Sequence, residues 1–441
     1  MQFNCIFLLK EVFMKIGIVS LGCCKNLIDT QLAMKYLVRQ GHQFTDNPKN
    51  ADVIIVNTCG FINDAKQESI DTILQMADYK NYRCQKLIVM GCLATRYKDE
   101  LIEEMPEVDR FISINEYGHL EDILQELITP EKKQPCDIIL ATRPWSAYLR
   151  IADGCNNRCA FCAIPRIRGN YVSVPMEDIL EEARRLEAIG VKEINVIAQD
   201  TTKYGLDLYR ELKLGELLEK LNEMNFHWIR VLYMYPDELS DRLIEKISHL
   251  DKVLPYFDIP VQHGSNRLLK VMRRMGDTDR IRQIVSKIRS TFDDATIRTT
   301  VIVGFPTETA DDFAQLMDFV SETRWDHLGA FMYSLEEDTP AYDLHPRISE
   351  RVSKSRYDRI MTLQNQISRE NGERYIGTVQ EVLVEKKDSL RNIYFGRSRH
   401  HAPDEIDGHI RFTSDREIEL GTFVNVRIEK AEAYDWEGKL A

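Results

Sequence analysis

Three short apolar runs near the start of the chain restrict what it can fold into. Residues 15–21 (KIGIVSL), 52–57 (DVIIVN) and 86–90 (KLIVM) are Val/Ile-rich, and helical patterns follow each at 27–40, 64–79 and 95–105. Continuous apolar strands alternating with helices indicate a parallel sheet covered on both faces, a doubly wound α/β domain. Each run is followed two residues after its end by a cysteine: Cys23 after Leu21-Gly22, Cys59 after Asn57-Thr58, and Cys92 after Met90-Gly91. The carboxyl ends of parallel strands line one edge, where ligands bind, so these cysteines are expected to converge on one crevice. The neighbouring glycines let backbones approach closely there. A single cysteine is commonly a small buried hydrophobe. Three at equivalent positions point instead to a three-thiolate metal site.

A second cysteine group is packed into one loop, Gly154-Cys155-Asn156-Asn157-Arg158-Cys159-Ala160-Phe161-Cys162, just after the apolar stretch 148–152. With ten cysteines in 441 residues, a chance C-x3-C-x2-C match is expected only about 0.005 times. Iron–sulfur clusters are held by thiolates, normally four, so three leave one iron open. A structural zinc site competes, but it takes four protein ligands and the next histidine downstream is His227. Disulfides are disfavoured because nothing marks the protein as secreted. Cys5, Cys24, Cys84 and Cys136 receive no role, and the Cys24 side chain is expected to point away from that of its neighbour Cys23.

The domains are expected at residues 14–129, 141–371 and 374–441. Residues 130–146, rich in Pro and Lys, read as a linker with a strand-like piece at 137–140. The central domain opens with the cysteine loop and shows candidate strands at 148–152, 193–198, 228–233, 256–259, 296–303 and 328–333, with a strong helix at 175–189. About six parallel strand–helix units suggest a full or partial TIM-like barrel, whose functional residues sit at strand carboxyl ends. Polar groups follow several of these strands: Gln199-Asp200-Thr201-Thr202, Gln262-His263, and Gly304-Phe305-Pro306-Thr307-Glu308. His263 is equally readable as a satisfied structural histidine and as a substrate contact; Gly304-Phe305-Pro306 is first a turn signal. From Arg374 the chain changes to short β runs at 379–386, 392–397, 409–412 and 423–428, the pattern of a small all-β barrel of OB-like type.

The formal net charge is −12, which argues against broad attraction to nucleic acid phosphates. The same charge serves solubility. The terminal β region carries 13 acidic against 11 basic side chains, so it offers no basic groove for single-stranded nucleic acid. No apolar run approaches the ~20 residues of a membrane span. Residues 1–13 lack a small-residue cleavage site and read as a dispensable extension before Met14-Lys15. Ten cysteines without a secretion signal fit a reducing cytoplasm.

The loop Cys155-x3-Cys159-x2-Cys162 resembles the signature of the radical S-adenosylmethionine (SAM) enzymes. In that superfamily the open iron binds SAM, whose reductive cleavage yields a 5′-deoxyadenosyl radical. The resemblance implies that Gly190 and Glu193 face the methionine amino group and that Gly304 to Glu308 lie near the adenosine. The order of an N-terminal domain with Cys23, Cys59 and Cys92, a radical loop and a terminal β-barrel is similar to the methylthiotransferases over essentially the whole chain after Met14. Their terminal barrel is called TRAM. The likeness implies two 4Fe-4S clusters, insertion of sulfur and a methyl group at an unactivated C–H bond, and separate donors of electrons and sulfur. Two branches exist, one acting on adenosine of transfer RNA and one on the β-carbon of an aspartate in small-subunit ribosomal protein twelve. Ser20-Leu21-Gly22-Cys23-x-Lys25-Asn26, Ile197-Ala198-Gln199-Asp200-Thr201-Thr202-x-Tyr204-Gly205 and Asp258-Ile259-Pro260-x-Gln262-His263 resemble the ribosomal-protein branch. Cys24, Gln31 and Asn156-Asn157 depart from its pattern. An acidic chain also suits a basic protein better than RNA.

Overall fold

The computed structural model describes residues 14–128 and 140–441. The expectations for residues 1–13, for Cys5 and Cys136, and for most of the linker with its 137–140 strand lie outside the described residues.

The first domain is a five-stranded parallel sheet, β1 (Lys15–Ser20), β2 (Gln43–Phe44), β3 (Val53–Thr58), β4 (Lys86–Gly91) and β5 (Arg110–Ile112), in the order β2-β1-β3-β4-β5. All six residues of β3 are buried, as a central strand covered on both faces requires. Two apolar clusters, one on each face, sandwich the sheet. The order 2-1-3-4-5 puts the topological switch point between β1 and β3. Cys23 and Cys59 follow those two strands, and Cys92 follows the next. The helices are α1 (Cys24–Arg39), α2 (Asn63–Ala77), α3 (Cys92–Arg96), α4 (Lys98–Glu104) and α5 (Leu120–Ile128). Two of them differ from expectation. The first begins at Cys24 rather than at residue 27, because Gly22 turns with φ +88 and Cys23 is extended at the N-cap position. The helix expected over 95–105 is split at Tyr97, whose φ −128 and ψ 32 leave the helical region. The short edge strands β2 and β5 carry too few residues to show a period.

The central domain contributes β6 (Ser146–Arg150), a small hairpin of β7 (Ala152–Asp153) with β8 (Val172–Ser173), and then β9 (Glu193–Ile197), β10 (Trp228–Val231), β11 (Tyr256–Asp258), β12 (Thr296–Val303) and β13 (His327–Met332). Two three-stranded parallel sheets, β10-β9-β6 and β11-β12-β13, meet edge to edge through a bridge from Ile229 to Val253. The result is a partial barrel, open between β6 and β13. Helices pack outside on an apolar layer that includes Leu149, Val196, Val231 and Val301. Tyr148, Ile197, Trp228 and Tyr256 face inward, since successive strand side chains alternate faces.

The last domain is a closed barrel of β14 (Val379–Asp388), β15 (Ile393–Arg397), β16 (Ile410–Thr413), β17 (Phe423–Ala431) and β18 (Trp436–Leu440), in the order β14-β15-β16-β18-β17, with β16 and β18 parallel. The small terminal barrel is present and closed by five strands, β18 being additional to the four read from sequence. Residues 398–407, most of its β15–β16 connection, fill the amino end of the central barrel. Arg230 donates to the Arg399 carbonyl (3.0 Å), the His327 ring meets the His400 carbonyl (2.9 Å), and Asp407 accepts from the Tyr256 hydroxyl and Arg298. Tyr148 donates its hydroxyl to Asp404. The central barrel is thus plugged at one end by the terminal domain, and only the carboxyl end of its strands remains for a substrate.

Glu193 anchors this plug. It opens β9, is fully buried, and accepts from Ser146 Oγ (2.8 Å), Arg230 Nε (3.4 Å) and both terminal nitrogens of Arg397 (3.2 and 2.6 Å). Burial alone would raise its pKa, but Arg397 and Arg230 outweigh that and hold it at about 2. A carboxylate depressed in the fold adds stability that is complete above its ordinary value of 4.5 and drains away as pH falls toward 2. Glu193→Gln is expected to cost about 3–5 kcal/mol, because it leaves Arg397 and Arg230 short of a buried counter-charge. The variant's loss against the parent in urea unfolding at pH 7 checks this, and the gap must shrink as both are taken below pH 4. A gap that does not change with pH contradicts the account.

Candidate functional site

The site assembles where the carboxyl edge of the first sheet meets the carboxyl ends of the central strands. On the first sheet, Cys23 holds the N-cap position of α1 without using its side chain as a cap, so the thiol is free of that role. Cys59 is pinned by Ser69, which donates from its hydroxyl to the Cys59 carbonyl and accepts from the Cys59 amide, both at 3.0 Å. Cys92 opens α3 after Gly91, whose φ of +101 only glycine adopts readily. A Cβ on Gly91 would stand 2.3 Å from Asn57 Oδ1 and 2.6 Å from the Thr58 carbonyl. Gly22 is equally constrained, since a Cβ there would meet Cys59 Sγ at 3.1 Å. Cys23 and Cys59 are therefore neighbours across the switch point.

Burial raises the Cys59 thiol and pushes Cys92 up to about 12, and the charges of the other cysteines of the trio add to both effects. Thiols that oppose one another's ionisation in a desolvated site call for a bound cation to hold them as thiolates. All three are free, as are the loop cysteines.

In the central domain, the loop after β6 and β7 is shaped by backbone bonds from Cys155 to the Gly169 carbonyl (3.1 Å), from Cys162 to the Cys159 carbonyl (3.1 Å) and from Ala160 to the Met272 carbonyl (2.9 Å). Gly154 has φ +73, and a Cβ there would lie 2.0 Å from the Asn170 carbonyl oxygen. Asn157 donates to Asp200 (2.9 Å) at the end of β9 and also pairs with Lys203. Gln199 donates to Asp153 (2.9 Å). Burial raises the Cys155 thiol and pushes Cys162 up to about 12, with Cys159 adding to both. Arg274 supplies the local positive charge: its Nη1 lies 3.6 Å from Cys159 Sγ, and its guanidinium covers the Tyr235 ring at 3.8 Å. Each trio therefore suits a thiolate-held iron–sulfur cluster with one iron left without a protein ligand. Among the described residues, no three or more His, Cys, Asp or Glu side chains are drawn together closely enough to hold a single metal ion, and the two cysteine trios are no exception.

The two trios lie side by side. Cys92 packs against Ala163, the residue after Cys162, and against Ile167. A buried polar bridge joins them. Arg168 donates from Nη2 to Asn26 Oδ1 (3.0 Å) and Asp29 (2.7 Å), and from Nη1 to Asp153 (3.0 Å). Asn26 in turn donates to the carbonyls of Leu21 (3.1 Å) and Thr58 (2.9 Å), and its Oδ1 accepts from Cys92 Sγ (3.4 Å). On the far side, Glu336 after β13 takes Arg96 and Lys66 of the first domain, both at 2.9 Å. The first domain is thus clamped across the open side of the partial barrel.

Asn26 figures in the sequence reading only within the stretch 20–26, and Asp29, Arg168 and Arg274 do not figure in it. A signal existed for the first two. Lys25, Asn26, Asp29 and Thr30 recur at helical spacing and form a polar stripe on the buried face of α1, the reverse of the usual pattern.

The other sequence candidates are placed as follows. Gly190 and Glu193 lie at the amino end of β9, where Glu193 aligns with Ser146, the first residue of β6. The cysteine loop follows the opposite end, about 13 Å of strand away. Their expected role toward the methionine amino group is therefore corrected: Glu193 is an interdomain anchor, and Gln199 and Asp200 occupy the carboxyl end of that strand. Gly304 and Glu308 do follow β12. Glu308 accepts from the Gly304 amide, from Arg356 (2.9 Å) and from the His263 ring (3.4 Å). Since His263 Nδ1 accepts from the Ser265 amide (3.0 Å), its Nε2 is the donor to Glu308, and this histidine is structural. Cys24 points into the barrel, 3.6 Å from the Tyr233 hydroxyl. Cys84 lies in the core beneath the sheet. No helix of the described residues is long and apolar enough to cross a membrane.

Three family models match the chain. Residues 15–113 match the family model described as "Uncharacterized protein family UPF0004", residues 149–320 the radical SAM superfamily, and residues 376–440 the TRAM domain. The chain is 48% identical over 440 residues to the ribosomal protein uS12 methylthiotransferase RimO of Caldicellulosiruptor saccharolyticus, covering 97% of this chain and 99% of the relative. It is 46% identical to the proteins of the same name from Alkaliphilus oremlandii (97% and 99% covered) and Clostridioides difficile (96% and 98%). The fold is shared with the solved radical SAM methyltransferase TsrM of Kitasatospora setae, at TM-score 0.54 and 11% identity, over 75% of this chain and 74% of that one.

Proposed function

The chain belongs to the family of ribosomal protein uS12 methylthiotransferases, and from that premise we propose that it adds a methylthio group to the β-carbon of an aspartate in this small-subunit ribosomal protein. It is a radical SAM enzyme, and its family uses SAM and two 4Fe-4S clusters. When bound, these groups supply reductive cleavage of the sulfonium, a carbon radical able to remove hydrogen from an unactivated C–H bond, and the sulfur and methyl to be transferred. Cys155, Cys159 and Cys162 would hold the cluster that binds SAM, and Cys23, Cys59 and Cys92 would hold the second, which would supply the sulfur chemistry. The contact of Cys92 with Ala163 carries this reading, because it sets the first-domain trio against the loop that bears the other.

The residues around the crevice divide the remaining work. Arg274 offsets the thiolate charge at Cys159. Arg168 and Asn26 fix the spacing of the two trios. The plug of residues 398–407 keeps water and substrate out of the amino end of the barrel. Gly304 and Glu308 shape the turn beside the adenosine. Electrons and sulfur come from separate donors in a reducing cytoplasm, and the net charge of −12 favours a basic protein over direct RNA binding. Mass spectrometry of ribosomal protein uS12 and of transfer RNA from a deletion strain tests the substrate. The uS12 methylthio group is expected to vanish and transfer RNA to stay unchanged. Loss from transfer RNA instead contradicts the proposal.

A further inference from the structure

Lys25 is only 9% exposed. Among the described residues its ammonium has no ion pair and no hydrogen bond; its one close partner is the face of Tyr233, 3.6 Å from the ring centroid. A buried charge is normally paired, and a ring face is a weaker partner than a carboxylate. Its place on the helix adds to the imbalance. Lys25 sits in the first turn of α1, which contains no acidic residue, and a helix N-terminus disfavours a cation. Asp258, whose carboxylate supports the same tyrosine, is already committed, with Oδ2 to the Tyr233 amide (3.0 Å) and Oδ1 to Arg298 (2.9 Å).

Tyr233 itself is held in an unusual conformation. Its φ is +60, a left-handed state that a non-glycine residue keeps only where its surroundings enforce it. The Asp258 bond fixes its amide, and Thr201 donates to its carbonyl from backbone nitrogen and side-chain oxygen, both at 3.1 Å. Tyr233 follows β10 at the carboxyl end of the barrel strands, where barrels place their functional groups. The fold thus strains one residue to set a ring beneath a cation that lies two residues after Cys23. An anion entering there would meet both the ammonium and the amide end of α1.

We propose that Lys25, on the Tyr233 platform, receives the side-chain carboxylate of the substrate aspartate. This rests on the substrate reading above and names the group that selects it. A carboxylate is bonded directly to the β-carbon, so an anchor beside Cys23 brings the carbon to be modified next to the trio that delivers sulfur. The same anchor distinguishes aspartate from asparagine, which has the same shape without the charge.

The test measures binding under anaerobic conditions, using the cluster-loaded protein and fluorescently labelled uS12 peptides carrying the target aspartate or asparagine in its place. The parent is expected to bind the aspartate peptide about ten-fold more tightly, in the range of a charge-assisted hydrogen bond. Lys25→Met, which keeps a side chain of similar length on the ring, is expected to bind both peptides equally, and Lys25→Arg to keep the preference. A preference that persists in Lys25→Met overturns the assignment alone. Failure of the parent to bind either peptide overturns the substrate reading and the assignment with it. A second measurement needs no variant: the aspartate peptide must shield Lys25 from acetic anhydride, read by mass spectrometry, more than the asparagine peptide does. Equal shielding overturns the proposal.

Discussion

Replacing Cys155, Cys159 and Cys162 together by alanine is expected to abolish 5′-deoxyadenosine formation and to remove about half the iron, whereas the same change at Cys23, Cys59 and Cys92 also removes about half the iron but stops only the methylthio product. The asymmetry follows from placement. The first trio lies in one loop at the mouth of the central barrel, with Arg274 against Cys159. The second is spread over three strand ends of a different sheet and shares no ligand with the first. Each is expected to lose its cluster when its three thiolates go. Anaerobic reconstitution followed by iron and sulfide analysis and product chromatography checks both variants. If the Cys23/Cys59/Cys92 variant retains all its iron, the two-cluster account is wrong. If the loop variant still cleaves SAM, the assignment of roles is wrong.

Arg168→Met is expected to destabilise the protein by about 3 kcal/mol and to separate radical formation from sulfur transfer. The guanidinium and Asp29 are each 1% exposed, and removing one partner of a buried pair costs about 3–5 kcal/mol. The low end applies because Arg150 still pairs with Asp29 at 2.8 Å. The functional consequence is larger than a stability loss predicts. Arg168 ties the cysteine loop's own domain to Asn26, and Asn26 holds the Leu21 and Thr58 carbonyls next to Cys23 and Cys59. A shift of about 1 Å between reacting groups lowers a rate by about a hundred-fold. The ratio of methylthio product to 5′-deoxyadenosine should therefore fall ten- to hundred-fold. Lys at this position restores charge but not the fork that spans three partners, so it should recover stability more than coupling. An unchanged product ratio in Arg168→Met shows that this bridge does not position the two sites.

The sequence displayed its repeats more readily than its interfaces. β1, β3 and β4 were legible because a strand buried on both faces is a continuous Val/Ile run, and the cysteine after each was legible by its equivalent position. β2 and β5 were not, since two or three residues carry no period. The partial barrel followed from its strand–helix units, but its open side could not be read, because what covers it is another domain. The same limit explains Glu193. A lone glutamate at a strand start gives no hint that Arg397, 204 residues later, will meet it inside the barrel, and the likeness of residues 190–193 to a family element suggested a cofactor role instead. The plug of residues 398–407 was hidden for the same reason: its histidines and aspartates have no visible role until the strands they satisfy surround them. Lys25 was quoted only as part of a motif; its meaning lies in the carboxylate it lacks.

The central claim is that two three-cysteine sites on different domains open on one crevice. Iron anomalous scattering from anaerobic crystals of the reconstituted protein tests this most directly. The account predicts two iron centres, one bound by Cys23, Cys59 and Cys92 and one by Cys155, Cys159 and Cys162, both bordering one crevice beside Lys25 and Tyr233. A centre bound through Cys24 or Cys84, or two centres opening on different faces of the protein, would contradict it.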